Sequence, residues 1–343
     1  MRALVTGANG FLGRHVVAGL LEAGHHVRAL VGPRGVVQDL PWADRAEILH
    51  VDLLETEPLD AAFEGVDVLV HLAARVLGDD RERIAVAVDG TERLLGAMAR
   101  SSTRRVVLAS SLAVYDWERV ADPLTEASPL RALDAAGPDS YAIAKLRQEE
   151  VALRFAGSGG GWELSILRPS SLWGAGRLDG GDVGRRVGPL VFVVGPRRRL
   201  RISYVENCAE AFVRAALRPG AVLRVINVVD PFEISAWRYA RECLGRSGIA
   251  WLRVPLPYRP LLACLRITER VLRGPIGGRP RLPGILAPAR FETQFKPVTC
   301  SVAAAQRELG WAPRFGFAEA LERTLATGHV VRGVRDRGEA PET

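Results

Sequence analysis

The sequence predicts an α/β protein: a doubly wound parallel sheet flanked by helices, with a smaller C-terminal α/β lobe. Three observations carry that reading. A short apolar run, Arg2 to Thr6, leads into Gly7-Ala8-Asn9-Gly10-Phe11-Leu12-Gly13 and then into helical periodicity. Strand-like and helix-like stretches keep alternating as far as Pro169. Val66 to Leu72 is apolar at nearly every position, as in a parallel strand covered on both sides.

The elements can be placed in order. Arg2 to Thr6 is the first strand, a helix runs from about Phe11 to Glu22 and stops at Gly24, and His26 to Val31 is the second strand. Strand, Gly-rich turn, helix and strand within about 30 residues form the βαβ setting of a dinucleotide fingerprint, the mark of a Rossmann-type sheet. Gly7 permits the tight turn, Gly10 admits a diphosphate close to the backbone, and Gly13 lets the helix pack on the strand. With Phe11 and Leu12 these glycines are the first candidate cofactor-binding residues. The diphosphate would rest on the free N–H groups and positive dipole end of that helix.

Ile48 to Val51 is a third strand, running into Asp52-Leu53, and Val66 to Leu72 is the fourth. A helix follows over Ile84 to Ala99, then a strand over Arg105 to Ala109 that runs into Ser110-Ser111. Tyr141 to Phe155 reads as a helix, and Leu164 to Leu167 as a strand ending in Arg168-Pro169. In a doubly wound sheet ligands bind at the carboxyl ends of the strands. Asp52, His71 to Ala74, Ser110-Ser111 and Pro169-Ser170 all fall at such ends.

Composition narrows the class. The 343 residues carry a net charge of +7, an excess that is nearly all arginine. It is read as a bias toward Arg, Gly and Ala, since no aromatic-plus-basic pattern marks a nucleic-acid surface. Cys208, Cys243, Cys264 and Cys300 are widely spaced and read as free thiols in a reducing compartment; no metal site is expected. No leader is read ahead of the first strand, and no apolar run approaches the ~18 residues of a membrane span. A cytoplasmic protein is the expectation.

The stretch Ser140-Tyr141-Ala142-Ile143-Ala144-Lys145 carries the chemistry. On a helix, residues four apart share a face. An ammonium one turn from a phenol favours the phenolate and brings its titration down from pH ~10 toward neutrality. Such a tyrosine can exchange a proton with a carbonyl or alcohol oxygen.

At this point the chain resembles an extended short-chain dehydrogenase/reductase, nearest to the NAD-dependent epimerase/dehydratase, 3β-hydroxysteroid dehydrogenase and dihydroflavonol reductase branches. The likeness runs from Thr6 to about Leu325 through TGANGFLG (Thr6 to Gly13), VDL (Val51 to Leu53), HLAA (His71 to Ala74), DGTERLL (Asp89 to Leu95), SSLAVY (Ser110 to Tyr115), SYAIAK (Ser140 to Lys145), RPSSLWGAG (Arg168 to Gly176), SYVENCAEAF (Ser203 to Phe212) and ELGWAPR (Glu308 to Arg314). The resemblance implies that Ser111, Tyr141 and Lys145 are the catalytic set. Ser111 would donate to the substrate oxygen, and Lys145 would hold the phenolate and bond the nicotinamide ribose. It also implies that Asp52 and Leu53 meet the adenine, that Leu72, Ala73 and Ala74 line the cofactor cleft, and that Pro169 borders it. Pairing into a homodimer through helices of the sheet domain follows from the same likeness.

Cofactor choice turns on the end of the second strand, Ala29-Leu30-Val31-Gly32-Pro33-Arg34, where no acid is present to bond the ribose hydroxyls of NAD. Arg34 and Arg14 are candidates for the extra phosphate of NADP, which is preferred, with NAD as the alternative. Departures from the family pattern are Ala87 in place of an Asn, read as loosening a loop, Trp173 in place of a Tyr and Asp116 in place of a Gly, both read as reshaping the pocket, and Asn207 in place of an Asp.

The expected organisation is a dinucleotide-binding domain over 1–176, with strands returning at about 201–230. A substrate lobe covers 177–329 and a charged tail 330–343. The favoured function is reduction of a ketone, or oxidation of the secondary alcohol, on a mid-sized apolar small molecule. Its support is the apolar, Pro-rich stretch Val254 to Leu272, read as a greasy lid. A nucleotide-sugar 4-epimerase or 4-ketoreductase is the alternative, supported by Arg201 and the Arg197-Arg198-Arg199 cluster; Leu112-Ala113 after Ser111 speak against a dehydratase. A non-catalytic nucleotide sensor is the third reading, opposed by the intact Ser–Tyr–Lys set. Leu261 to Arg273 has apolar and basic faces that suit either a membrane surface or, as preferred, a core-facing helix.

Overall fold

The computed structural model describes residues 1–55, 57–74, 79–133, 140–178, 182–220, 223–248, 252–273 and 284–327; the expected tail at 330–343 lies outside the described residues. In chain order the first elements are β1 (Arg2–Thr6), α1 (Gly13–Glu22), β2 (His26–Val31), β3 (Glu47–His50), α2 (Glu57–Ala62), β4 (Val68–His71), α3 (Asp80–Arg100), β5 (Arg105–Ala109), α4 (Ser140–Gly157) and β6 (Glu163–Pro169). Then come β7 (Ser171–Trp173), β8 (Gly184–Val187), β9 (Leu190–Val194), β10 (Ile202–Tyr204), α5 (Val205–Leu217), β11 (Leu223–Val228) and α6 (Ala236–Tyr239). The last are β12 (Leu252–Leu256), α7 (Tyr258–Arg273), α8 (Pro288–Phe295), α9 (Ala303–Leu309) and α10 (Phe317–Ala326).

Seven strands form one sheet in the order β11-β6-β5-β4-β1-β2-β3, with every neighbouring pair parallel. The chain moves outward from β1 to β3, then returns to β4 on the other side of β1. That reversal opens a crevice at the carboxyl ends of β1 and β4. The apolar runs explain the burial: Leu4, Leu69, Val106, Leu108 and Ile166 of the sheet pack with Leu94 and Met98 of α3 and Val151 of α4. Helix α1 begins at Gly13 rather than Phe11, because residues 7 to 12 are spent on the turn, closed by Gly10 N–H donating to the Gly7 carbonyl (3.0 Å).

Two compact units divide the chain. The first comprises Met1–Ser170, Val205–Pro231 and Val298–Arg314, and holds the whole parallel sheet. The second comprises Ser171–Tyr204, Phe232–Pro297 and the residues from Phe315 onward. It contains the three-stranded sheet β12-β9-β8 and the pair β10-β7. Its core is aromatic: Trp173, Tyr204, Tyr239 and Phe315 with Phe317 alongside.

This corrects two expectations. Trp173 is fully buried in that core, its ring 5.4 Å from Tyr204 and 5.5 Å from Phe317, so it packs the unit instead of shaping a pocket. Ala87 lies inside α3, buried, so its replacement of an Asn loosens no loop. The stretch read as a greasy lid forms β12 and α7, whose Leu262 and Leu265 pack with Phe291 and Phe295.

Candidate functional site

The Gly-rich turn is built by steric necessity. Gly7 has φ +65°, and a Cβ there would lie 2.9 Å from the backbone of Ala73, in the turn after β4. At Gly13 a Cβ would come within 2.1 Å of the Gly7 carbonyl oxygen, and at Gly10 within 3.1 Å of the same atom. Gly7 and Gly13 therefore need glycine, with positive φ adding to the demand at Gly7, while Gly10 is a tight fit. A cavity of about 330 Å³ opens over this turn, lined by Thr6, Gly7, Asn9 and Gly10, by Leu30 to Pro33 after β2, by Val51 to Leu53 after β3, by Leu72 to Ala74 after β4, and by Val86. Of the candidate cofactor residues it gathers Gly7, Gly10, Asp52, Leu53, Leu72, Ala73 and Ala74.

Phe11, Leu12, Gly13, Arg34 and Pro169 do not line it. Leu12 caps α1 without a side-chain bond, Pro169 is the buried last residue of β6, and Arg34 is exposed beyond Gly32. Arg14, the other phosphate candidate, lies with its guanidinium over the Phe11 ring (5.2 Å), and burial lowers its pKa. Gly90 of α3 lies against Leu53, whose Cβ would sit 3.2 Å from a methyl at that position; the glycine keeps Leu53 in the cavity wall.

Beside this cavity, at the end of β5, lies the candidate catalytic set. Ser111 follows that strand directly, and its Oγ accepts from the Ala113 N–H (3.2 Å), capping a short 3₁₀ turn over Leu112–Val114. The hydroxyl proton remains available for donation. Tyr141 is half-buried in the first turn of α4, and Lys145 is buried one turn on. Lys145 Nζ donates to the Ala109 carbonyl (2.7 Å), the last residue of β5, which brings the ammonium to the same strand end as Ser111. Burial pulls its pKa from 10.5 down to about 8, while Glu149 acts in the opposite direction.

The second acceptor of Lys145 is Gln148 Oε1 at 2.9 Å. An ammonium can only donate, so it fixes which end of the Gln148 amide faces it. The Gln148 Nε2 group then donates to His71 Nε2 (3.0 Å) and Thr91 Oγ1 (3.1 Å). His71 must accept at Nε2 and carry its proton on Nδ1, where it donates to Thr6 Oγ1 (2.7 Å). Thr6 Oγ1 also accepts the Ala73 N–H at 3.1 Å, on the cavity wall. His71 is held neutral, its pKa pushed down to about 3 by burial and by the Lys145 charge. Thus an unbroken polar chain joins Lys145 to the floor of the nucleotide cavity.

The helix that presents Tyr141 is pinned at both ends. Near its start, Ser140 Oγ donates to Asp80 (2.6 Å) and accepts from Arg83, both on α3. Farther along, Glu149 takes a bidentate pair from Arg168 of β6 (2.8 and 2.7 Å), with both side chains buried. Arg168 also donates to Tyr115 Oη (2.9 Å), and Tyr115 donates to Asn227 of β11 (2.7 Å). Asn207, in place of the family's Asp, donates to both carboxylate oxygens of buried Asp230 (3.2 and 3.1 Å); an Asp there would oppose like charges.

Sequence reasoning did not find Gln148, Thr91 or Asn9. The signal for Gln148 was present: three residues after Lys145, it shares that residue's face of α4. Several arginines of the cluster already have partners within the protein, while Arg198 Nε and Nη1 are buried without one among the described residues. Arg201 donates to the carbonyls of Thr293 (2.9 Å), Gln294 (3.2 Å) and Lys296, Arg198 is buried and donates to the Asp182 carbonyl, and Arg199 pairs with Glu233 (2.7 Å).

Comparison with known proteins shows the family. Residues 3–228 match the family model described as NAD dependent epimerase/dehydratase family. A 3β-hydroxysteroid dehydrogenase/Δ5→4-isomerase of Mycobacterium tuberculosis is 30% identical over 94% of this chain and 89% of its own length. A 4-hydroxy-2-methyl-3-oxo-4-farnesyl-3,4-dihydroquinoline-1-oxide ketoreductase of Stigmatella aurantiaca is 28% identical over 97% of this chain and 98% of its own. Among solved structures, UDP-glucuronic acid 4-epimerase of Bacillus cereus in complex with NAD superposes with a TM-score of 0.69 at 19% identity, covering 96% of this chain and 100% of that one, a likeness of fold.

Proposed function

The chain belongs to the NAD-dependent epimerase/dehydratase family, and from that premise we propose that it reduces a ketone, or oxidises the secondary alcohol, of a mid-sized apolar substrate, with NADP preferred over NAD. The observation that carries the reaction class is a buried ammonium, Lys145, one helical turn from Tyr141 and tied to the strand end that bears Ser111. A bound nicotinamide dinucleotide supplies or takes the hydride. Gly7, Gly10, Asp52, Leu53 and Leu72 to Ala74 are the residues that would hold it, and the cradle that admits no Cβ at Gly7 or Gly13 fits such a ligand.

Ser111 and Tyr141 orient the substrate oxygen by hydrogen bonding. In the reductive direction the Tyr141 phenol gives its proton to that oxygen as negative charge develops there. The Lys145 ammonium stabilises the phenolate left behind, and in the oxidative direction the same phenolate takes the alcohol proton. NADP preference is supported by the lack of an acid among Leu30 to Pro33, with Arg34 just beyond.

The apolar substrate is supported by the names of the relatives. Arg201 is committed to three backbone carbonyls and Arg199 pairs with Glu233, whereas buried Arg198 keeps Nε and Nη1 unpaired among the described residues, so a nucleotide-sugar 4-epimerase or 4-ketoreductase is the alternative. We read the protein as cytoplasmic and pairing through sheet-domain helices; no helix among the described residues is long and apolar enough to cross a membrane. The test is Tyr141→Phe assayed on hydrophobic ketones and on UDP-sugars. The variant should lose turnover by at least about a thousandfold while binding dinucleotide as before. Retained turnover would refute the proton-transfer role, and turnover of UDP-sugars alone would replace the substrate reading.

A further inference from the structure

Helix α7 has two apolar faces, and only one of them packs against other described residues. Leu262 and Leu265 point into the second unit, where they pack with Phe291 and Phe295. At 100° per residue, Ala263, Ile267 and Val271 fall in one sector of the opposite side, with Pro260 and Cys264 beside them. All five are exposed; Ile267 is 59% accessible and Val271 72%. Two branched apolar side chains one turn apart, Ile267 and Val271, so far out of any core, need a partner that welcomes them.

The charges say which kind. Arg259, Arg266 and Arg270 fall in a column along one flank of the stripe, all exposed. The helix's one acid, Glu269, lies on the inward half with Leu262 and Leu265 and is half-buried. Arg266 reaches across to Glu292 of α8 (2.9 Å) with half its side chain still in solvent. The outward half therefore carries positive charge only, next to a continuous apolar strip. That is the pattern of a helix lying in the plane of an anionic interface, with alkyl groups at the acyl boundary and guanidiniums among phosphates.

We propose that α7 docks this protein peripherally on an anionic lipid surface, Ala263, Ile267 and Val271 entering the acyl boundary and Arg259 and Arg270 meeting lipid phosphates. The helix length suits lying flat, since it is too short and too charged to span. The inference does not depend on the reaction proposed above, because it needs neither substrate nor dinucleotide.

The experiment is flotation of the full chain with vesicles of phosphatidylcholine alone and with about one-third phosphatidylglycerol, at low and high salt. The protein should float with the phosphatidylglycerol vesicles, and salt should release it. Ile267→Glu/Val271→Glu should abolish flotation. Arg259→Ala/Arg270→Ala should weaken it by about thirtyfold, at roughly fivefold per arginine. All four positions are exposed, so the variants should melt with the wild type. Wild type that stays at the bottom with anionic vesicles overturns the proposal, as does flotation unchanged in the glutamate pair. Sedimentation without vesicles separates the remaining occupant: a dimer that Ile267→Glu/Val271→Glu converts to monomer would make the stripe a contact between copies and equally overturn it.

Discussion

Gln148 is the most informative position to perturb, because its amide holds both Lys145 and His71. The chain has only two lysines, Lys145 and Lys296. Labelling lysine at Cε therefore gives two resonances, which Lys296→Arg assigns, and the titration of Lys145 can be followed without any substrate. It should titrate near pH 8, against 10.5 for an unperturbed lysine. A hydrogen bond to a charged group is worth about 1.5–3 kcal/mol. Gln148→Leu keeps the volume but removes the acceptor at 2.9 Å, so the ammonium loses that amount and Lys145 should titrate about 1–2 units lower. Gln148→Glu places a carboxylate there and should move it upward. The wild-type shift corresponds to about 3 kcal/mol of buried-charge cost below pH 8. Since the folded pKa is the lower one, the unfolded chain binds more protons between pH 8 and 10.5, and stability from this group rises with pH across that window. The same titration should appear as a limb near pH 8 in kcat/KM for ketone reduction. If Lys145 titrates above 10 in the wild type, or if both Gln148 variants leave it in place, the polar chain does not control the ammonium.

Two other perturbations address cofactor choice and the seating of α4. Arg34→Ala should weaken NADP binding about tenfold and leave NAD nearly unchanged, read by nucleotide fluorescence; equal losses for both would remove Arg34 from phosphate recognition. Arg168→Leu strands Glu149 in the core, unpaired, and should cost about 3–5 kcal/mol in urea unfolding. The double variant Arg168→Leu/Glu149→Leu should recover most of it, and a double variant as unstable as the single would show that Tyr115 and Asn227 carry the stability instead.

Much of the sheet domain was legible because its signals are local. Parallel strands buried on both faces read as apolar runs, which is why Arg105–Ala109 emerges at its observed limits. Glycine in the first turn is demanded by backbone clashes two to three ångströms long, and such demands survive in sequence as fixed spacing. What was not legible depends on partners far away in the chain. Gln148 looks like any polar helix residue until β4 brings His71 beside it. Trp173 looks like a pocket residue because it stands where the family has a Tyr, yet Tyr204, Tyr239 and Phe317, none adjacent in sequence, enclose it. Arg201 looks like a ligand for phosphate until the carbonyls ending α8 arrive to occupy it.

The polar chain also explains why His71 can sit next to Lys145 without competing for its proton. A charged His71 would have to donate at both nitrogens, but Gln148 already donates into Nε2, and Gln148 cannot turn over because Lys145 needs its oxygen. The imidazole is thereby locked as an acceptor on one side and a donor to Thr6 on the other. Protonating it would break the chain at Gln148 and add a second cation beside Lys145, so the cost falls on folding as well as on the site. Its pKa of about 3 against an unfolded 6.5 means that the folded state binds fewer protons in that interval, and stability falls as pH drops through it. Thr6 closes the argument, because its hydroxyl receives both the His71 proton and the Ala73 N–H. Loosening the ammonium therefore loosens the wall against which a nucleotide would bind, and the two halves of the site are set by one run of hydrogen bonds within a single folded unit.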